Sequence, residues 1–280
     1  MTSITPFGRS GPYKDYKAYQ LNISHVSGQG YLLPNGARNL DRPPVKAGGN
    51  SGYFDPGLVA SVAVMSALFW KGKTGKGQFI EMSMQQALMS MQRVESVAFP
   101  NDGVNMTRVV TAQQRAHGGM MPCKDGYVVV VTPEEHQWKD FMKLLGNPEW
   151  SKEEWCSERA TRADHVDEIE KDILEWMKDR SKEEIFRNGQ AMSVPVAPVS
   201  SPQDIVESPQ FNARNFFVEM EHPAVGKIEK FPSSPYRFSK TPWKIERPAP
   251  LLGEHNEKIY FERLGYTRED LMQFQESGII

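Results

Sequence analysis

The middle of the chain contains the stretch Pro122-Cys123-Lys124-Asp125-Gly126-Tyr127-Val128-Val129-Val130-Val131-Thr132. Its polar, glycine-containing start is typical of a tight turn, and the valines that follow are typical of a strand. On the C-terminal side, apolar residues recur with helical spacing in 134–145 and 166–177, which predicts two amphipathic helices. A third helix is predicted near 182–188, before an extended, proline-bordered segment at 194–199. This middle part is therefore predicted to mix α and β structure.

On the N-terminal side, the first fifty residues are rich in glycine and proline, which favours loop structure. From Asp55-Pro56 onward, helical spacing of the apolar residues predicts a buried helix over the run from Leu58 to Trp70. The lysine- and glycine-rich segment 71–78 follows that helix, so it indicates a helix C-cap and turn rather than a phosphate-binding loop. A second helix is predicted over 83–99, strand-like structure in 216–220 and 232–250, and a closing helix at 256–264.

Composition bounds the class of protein. The chain has 280 residues, of which 39% are hydrophobic and 24% charged, and a formal charge of −2, so nothing favours nucleic-acid binding over small-molecule chemistry. Its two cysteines, Cys123 and Cys156, predict neither a disulfide framework nor a zinc site, and they suit a reducing cytoplasm. The longest apolar run is shorter than the roughly 20 residues of a spanning helix, so no membrane segment is predicted. The six histidines show no spacing typical of metal ligands.

Several strings, in order along the chain, resemble the class III CoA-transferases of the CaiB/BaiF type. They begin with Ser3-Ile4-Thr5-Pro6-Phe7-Gly8-Arg9-Ser10-Gly11-Pro12-Tyr13. Later blocks are Lys73-Thr74-Gly75-Lys76-Gly77-Gln78, Pro122-Cys123-Lys124-Asp125-Gly126-Tyr127, Val194-Pro195-Val196-Ala197-Pro198-Val199 and Pro250-Leu251-Leu252-Gly253-Glu254-His255. Because the blocks keep their order over nearly the whole chain, the resemblance is specific.

The resemblance implies an α/β fold with a Rossmann-like large domain and a smaller inserted α/β domain, in which two chains interlock as a dimer. It assigns residues 1–115 to the remaining part of the large CoA-binding domain, 116–225 to the small domain and 226–280 to the C-terminal return to the large domain. Family members carry a sizeable portion before the block that starts at Ser3, so the chain is expected to be N-terminally truncated relative to the family.

The resemblance also implies a reaction, the transfer of CoA between an acyl-CoA thioester and a carboxylic acid. An aspartate carboxylate attacks the thioester, and CoA passes through an aspartyl anhydride and an aspartyl thioester. Acyl-CoA and the acid are substrates, with no permanently bound cofactor and no metal. The expected partners are a second copy of the chain or a homologous subunit, in the cytoplasm, with no nucleic acid and no membrane.

The nucleophile is the point at which this sequence departs from the family pattern. Counting back from Gly57 and forward from Pro43-Pro44 leads to Tyr53 at the aspartate position. A phenol with a pKa near ~10 is a poor nucleophile toward a thioester at neutral pH. The nearby carboxylate is Asp55, which is the candidate catalytic residue; an aspartate before a proline is equally typical of a helix N-cap.

Binding residues are carried over from the family in two places. Lys17, Ala18, Tyr19 and Gln20 fall on the segment that contacts CoA, with a solvated lysine and a packed tyrosine as the alternative interpretation. Gly118-Gly119 resembles the mobile glycine loop that covers the active site, which makes both glycines candidate substrate-binding residues, with a plain turn as the alternative. His117 beside them is a candidate proton donor or an ordinary surface histidine.

Two other functions remain open. The tyrosine at the aspartate position and the expected truncation favour a non-catalytic subunit, a pseudoenzyme partner of an active homologue. A racemase or isomerase acting on acyl-CoA is a further member of the same family. Neither the acyl donor nor the acceptor acid follows from the sequence.

Overall fold

The computed structural model describes residues 1–34, 40–92, 94–108 and 112–280, except for the side chain of Gln113. Within it the chain forms two compact units, Met1–Ala197 and Pro198–Ile280. Both units contain helices and strands, so the predicted mixed α/β class is confirmed. The three-part division predicted from the family resemblance stays a prediction.

The first unit begins with a small parallel sheet and the helices around it. In chain order the elements are β1 (Thr2–Thr5), α1 (Gln20–Val26), α2 (Ser51–Thr74), β2 (Ile80–Ser83), α3 (Met84–Ser90), α4 (Glu95–Asp102) and α5 (Ala112–Arg115). Strands β1 and β2 pair in parallel, with Thr2 opposite Ile80. Ile23, Met84 and Leu88 form the apolar cluster that holds α1 against α3. The predicted helix over 83–99 is thus two helices, with Arg93 between them outside the described residues.

Helix α2 differs from its prediction in length and in burial. It has 24 residues and ends at Thr74, and the C-cap Gly75 that follows is left-handed with φ 72°, as the glycine-rich segment predicts. Its apolar residues lie largely on the surface, with Leu58 65% and Phe69 70% exposed, so the prediction of a buried helix is wrong for this chain. By length and composition α2 also suffices to cross a bilayer, although core helices of soluble proteins meet the same condition.

The rest of the first unit is the α/β part around the valine strand. Its elements are β3 (Gly118–Cys123), β4 (Gly126–Val131), α6 (Glu135–Leu144), α7 (Arg159–Arg162), α8 (Val166–Met177), α9 (Lys182–Ala191) and β5 (Val196–Pro198). Strands β3 and β4 form an antiparallel hairpin, and the sheet order is β3-β4-β5. The helices bury their apolar faces on the sheet around Val128, Val130 and Ile173. Four of the six tryptophans pack in or against this core: Trp138, Trp150, Trp155 and Trp176.

A buried charge lies at the edge of this core. The Arg162 side chain is 1% exposed and forms two hydrogen bonds of 2.8 Å to the Glu135 carboxylate. Its guanidinium also lies 4.6 Å from the Trp138 ring centroid. The bidentate pair and the aromatic face compensate the loss of hydration, which explains how an arginine can be buried here. The sequence pattern gave no signal for this pair.

The second unit is built around a hairpin. Its elements are α10 (Pro202–Glu207), α11 (Pro209–Ala213), β6 (Phe217–His222), β7 (Gly226–Pro232), a π-helical turn (Glu257–Arg263) and α12 (Arg268–Glu276). The predicted strand-like structure over 232–250 is wrong beyond Pro232, since no strand follows β7 in the described residues. Prolines recur through that segment, and each lacks the backbone N–H that a strand ladder needs.

Candidate functional site

The N-terminal ends of α1 and α2 contact each other directly. The Gln20 side-chain amide donates a hydrogen bond of 2.9 Å to Asn50 Oδ1. A Cβ on Gly52 would lie 2.8 Å from the Gln20 Cβ and 3.0 Å from Ser24 Oγ, so only glycine allows this approach. The segment predicted to contact CoA and the helix that carries the candidate nucleophile are therefore neighbours.

Tyr53 and Asp55 both lie inside α2. The helix begins at Ser51, where the N–H groups of Tyr53 and Phe54 donate to the Asn50 carbonyl, so the interpretation of Asp55 as a helix cap is wrong. Asp55 is half-buried and makes no hydrogen bond or ion pair with any described residue, whereas Tyr53 is 41% exposed. Residues two apart in a helix point about 200° apart. Asp55 consequently faces a different side of α2 and does not occupy the place of Tyr53.

The four residues at 17–20 divide into two pairs. Lys17 and Tyr19 are exposed, the latter by 72%, so both side chains are accessible to a ligand. Ala18 packs on the apolar cluster between α1 and α3, and Gln20 bonds to Asn50. The alternative interpretation, in which Tyr19 packs in the core, is therefore wrong, since Ala18 is the residue that packs there.

A cleft of about 540 Å³ lies beside the start of α1. One wall is formed by Leu21, Asn22 and His25, and the other by the segment 44–46. Lys46 Nζ closes the loop that leads to α2, because it donates to the carbonyls of Ala47 at 2.9 Å and Gly49 at 2.7 Å. Sequence reasoning missed this cleft, since its walls come from two separate segments, 21–25 and 44–46, and no single motif marks them.

The two glycines at 118–119 lie in strand β3 rather than in a loop or a plain turn. They pair with Val131 and Val130 of β4, and their φ angles are 104° and 137°. A Cβ on Gly118 would lie 2.3 Å from the Val130 carbonyl oxygen, so the backbones approach too closely for any side chain. Their predicted role in binding substrate stays a prediction.

His117, next to these glycines, is 5% exposed, so the surface interpretation is wrong. Its carbonyl accepts hydrogen bonds of 3.0 Å from both the N–H and the hydroxyl of Thr132. Neither ring nitrogen has a hydrogen-bond partner among the described residues. Burial lowers the pKa of the imidazole, and the charges of Arg159 and Arg162 lower that pKa further. The charged form of the ring is therefore disfavoured inside the protein.

This burial predicts a pH dependence of stability. Unfolded histidine, with a pKa near ~6.5, takes up a proton that the buried ring resists, so the free energy of unfolding should fall between pH 7.5 and pH 5.5. His117→Leu should reduce this loss, as measured by denaturant unfolding at both pH values. The exposed His136→Gln is the matched control and should behave like the wild type. An undiminished loss of stability in His117→Leu would contradict the assignment to His117.

The described residues contain no group of three or more His, Cys, Asp and Glu that could hold a metal ion.

Comparison with known proteins identifies the family. The sequence model of CoA-transferase family III matches residues 1–256. The chain belongs to this family. The resemblance recognised from ordered motifs is thereby confirmed.

Similar members of family III include curated enzymes and solved structures. Formyl-CoA:oxalate CoA-transferase of Streptomyces avermitilis is 30% identical over 99% of this chain and 70% of its own length. The subunit BbsE of succinyl-CoA:(R)-benzylsuccinate CoA-transferase of Thauera aromatica is 28% identical over 100% of this chain and 69% of its own length. A crystal structure of a CaiB/BaiF family protein from Brucella suis superposes with a TM-score of 0.76, at 26% identity, over 93% of this chain and 67% of that one.

Proposed function

We propose that the chain transfers CoA between an acyl-CoA thioester and a carboxylic acid. The observation that carries this proposal is the family match over residues 1–256. It is supported by relatives whose names describe CoA transfer to or from oxalate and benzylsuccinate. A carboxylic acid is thus the acceptor class that we propose, without a specific acid.

In the proposed reaction the Asp55 carboxylate is the nucleophile. Its oxygen attacks the thioester carbonyl, the carbon–sulfur bond breaks, and CoA leaves as the thiolate from a mixed anhydride. The thiolate then attacks the aspartyl carbonyl and releases the donor acid, which leaves an aspartyl-CoA thioester. The acceptor carboxylate attacks that thioester, and the released thiolate takes the acceptor acyl group from the second anhydride. Asp55 ends as the free carboxylate, and no proton is consumed.

The environment of Asp55 supports this role. It is half-buried and without a partner among the described residues, so no contact there has to be broken before it reacts. Attack from Asp55 requires the thioester to approach its own side of α2 rather than the side of Tyr53. Gly118 and Gly119 are proposed to contact the substrate, as the family resemblance implies.

Lys17 and Tyr19 are proposed to bind CoA, together with the backbone of Ala18 and Gln20. A lysine ammonium suits a phosphate oxygen, and an exposed ring suits the adenine or the pantetheine arm. The neighbouring cleft between α1 and residues 44–46 has apolar walls at Leu21 and Val45 and is large enough for part of such a molecule. Acyl-CoA is a substrate in this proposal, not a resident cofactor.

A second function is favoured by two observations on α2. Tyr53 stands at the position that the family pattern gives to aspartate, and the helix geometry keeps Asp55 from that place. In addition, large apolar residues of α2 are exposed, which is typical of a surface that another polypeptide covers. A non-catalytic subunit paired with an active homologue would have both features. The relative BbsE is itself named as a subunit.

The family match is also the basis of a proposal about the larger architecture. We propose that residues 1–115 and 226–280 belong to a Rossmann-like domain, that 116–225 form the small domain, and that the chain interlocks with a copy of itself or a homologous subunit. Among the described residues, the parallel sheet consists of the two strands β1 and β2, which is far smaller than parallel sheets usually are and supports further strands beside it. The two free cysteines support a cytoplasmic location.

Exchange of a labelled CoA group tests the proposed function. The purified chain is incubated with a labelled acyl-CoA and a panel of carboxylic acids, first alone and then with a full-length family member that has been inactivated at its own nucleophile. Label in a new thioester in either arrangement supports CoA transfer by this chain. Absence of exchange in both contradicts it and leaves the non-catalytic subunit.

A further inference from the structure

The second unit contains a cavity that the proposed reaction does not use. It has a volume of about 410 Å³ and lies between the start of β6 and the irregular segment 233–245. The Ser233 N–H donates a hydrogen bond of 2.8 Å to the Phe216 carbonyl, which fixes the end of β7 against the residue that precedes β6. The volume falls in the range of small-molecule sites.

The cavity carries an excess of positive charge. Arg214, Arg237 and Lys244 line it, are exposed, and make no ion pair with any described residue. The carboxylate in its lining, Glu219, is already paired with Lys227 at 3.1 Å. Unpaired cations around one concave surface attract an anion, and guanidinium groups match phosphate geometry in particular.

Apolar side chains also line the cavity beside these cations. Trp243 is 42% exposed, and Phe216 and Val218 are half-buried. An indole face with nearby cations suits a planar ring that is attached to a charged group. Half-buried Ser233 and Ser234 add hydroxyl groups to the lining, of which Ser234 Oγ also accepts a bond of 3.4 Å from the Tyr236 N–H.

We propose that this cavity binds a nucleoside phosphate, with the phosphates at Arg214, Arg237 and Lys244 and the base on Trp243. Inorganic phosphate alone would leave the aromatic surface uncovered, and an uncharged nucleoside would leave three cations unpaired. The ligand is either a free nucleotide or the nucleotide part of CoA, since both present the same chemistry. The site differs from the Lys17–Gln20 segment, so it does not depend on the proposed reaction.

Calorimetric titration of the full chain tests this proposal, with ADP, CoA, adenosine and pyrophosphate as separate ligands. We expect ADP to bind and adenosine to bind at least about tenfold more weakly, because it lacks the charge-assisted contacts. The comparison of CoA with ADP uses the Lys17→Gln variant, in which the proposed CoA site of the first unit is weakened. Stronger binding of CoA than of ADP there would identify CoA as the source of the nucleotide, and stronger binding of ADP would identify a free nucleotide. Binding of ADP should weaken at higher salt.

Variants at the cavity test its charged residues and its aromatic residue separately. Arg237→Gln with Lys244→Gln should weaken ADP binding at least about tenfold, whereas the matched control Lys240→Gln, on the same segment but outside the lining, should not. Trp243→Ala should weaken ADP binding without affecting pyrophosphate. Both cations are exposed, so the double variant should fold, and Arg214→Gln provides an independent charge removal. Lack of ADP binding by the full chain, or unchanged binding in both charge variants, would overturn the proposal.

The ADP affinity of the cavity should be the same in Asp55→Asn, even if that variant loses CoA transfer, because ADP binding is measured without turnover. Conversely, Lys17→Gln should weaken CoA binding at the first unit and leave ADP affinity at the cavity unchanged. A Lys17→Gln variant that loses ADP affinity as strongly as the cavity variants would overturn the assignment of ADP to this cavity. Failure of the nucleotide site and failure of the proposed reaction are therefore distinguishable.

Discussion

Replacement of Asp55 by asparagine is expected to lower the rate of CoA transfer by at least about a thousandfold, because removing the nucleophile of a covalent mechanism removes its intermediates. The amide is close in size to the carboxylate but is not nucleophilic toward a thioester. The measurement is the initial rate of label transfer from acyl-CoA to the acceptor acid, at saturating substrate. Binding of CoA should change little, since Asp55 is not among the residues proposed to hold it.

Tyr53→Phe is the matched control for this variant. It removes the phenolic hydroxyl two residues away on the same helix and should leave the rate close to that of the wild type. If Tyr53→Phe abolished transfer while Asp55→Asn kept it, the residue at the family's aspartate position would be the nucleophile after all. Equal retention of the rate in both variants would remove both residues from the chemistry.

Gly118→Ala is expected to reduce the free energy of unfolding by about 3 kcal/mol or more. An alanine there would adopt a left-handed φ of 104° and place its Cβ 2.3 Å from the Val130 carbonyl oxygen. Backbone strain of this kind costs about 1–3 kcal/mol, and the overlap with β4 adds a comparable amount. Denaturant unfolding followed by tryptophan fluorescence measures the effect, because Trp138 and Trp150 lie in the core of the same sheet.

Gly119→Ala distinguishes the cost of backbone strain from the cost of steric overlap with β4. Its φ is 137°, but a Cβ there would meet no atom within 4 Å, so the strain alone should cost about 1–3 kcal/mol. The difference between the two variants therefore measures the close approach of β3 to β4. A Gly118→Ala variant no less stable than Gly119→Ala would show that the strands separate easily at this point.

The helices around the valine strand could be predicted well from sequence alone. The structure begins and ends α8 at the predicted residues, Val166 and Met177, and α6 differs from its prediction by one residue at each end. In both helices the apolar residues recur on one face that packs on the sheet, so local periodicity reports a tertiary contact. Such agreement is expected where one amphipathic helix covers one sheet.

Elements that depend on distant or absent contacts were not predictable in this way. Strand β1 pairs with β2, which lies far along the chain, so its four residues carry no local pattern. Proline is usually found in the first turn of a helix, so the sequence predicts that α2 starts close to Pro56. The helix instead starts at Ser51, where the Asn50 carbonyl accepts the first backbone hydrogen bonds. Its apolar residues predicted burial, yet the described chain leaves them exposed.

The candidate site was likewise predictable from the sequence only in part. Motif order located the segments at 17–20, at 53–55 and at 118–119. Only the structure shows that Gln20 and Asn50 bring the first two segments into contact and that the helix turns Asp55 away from the side of Tyr53. The burial of His117 and the pairing of Arg162 with Glu135 could not be predicted from local sequence, since each depends on residues from separate elements.

Mass spectrometry of the covalent intermediate tests the central claim most directly. The chain is incubated with acyl-CoA and quenched, and the peptide that contains residues 53–55 is analysed for a CoA adduct and for hydroxylamine-sensitive modification. We predict an aspartyl-CoA thioester at Asp55, absent in Asp55→Asn and present in Tyr53→Phe. A chain that turns over acyl-CoA but carries the adduct at another residue, or carries none, would contradict the assignment of Asp55 as the nucleophile.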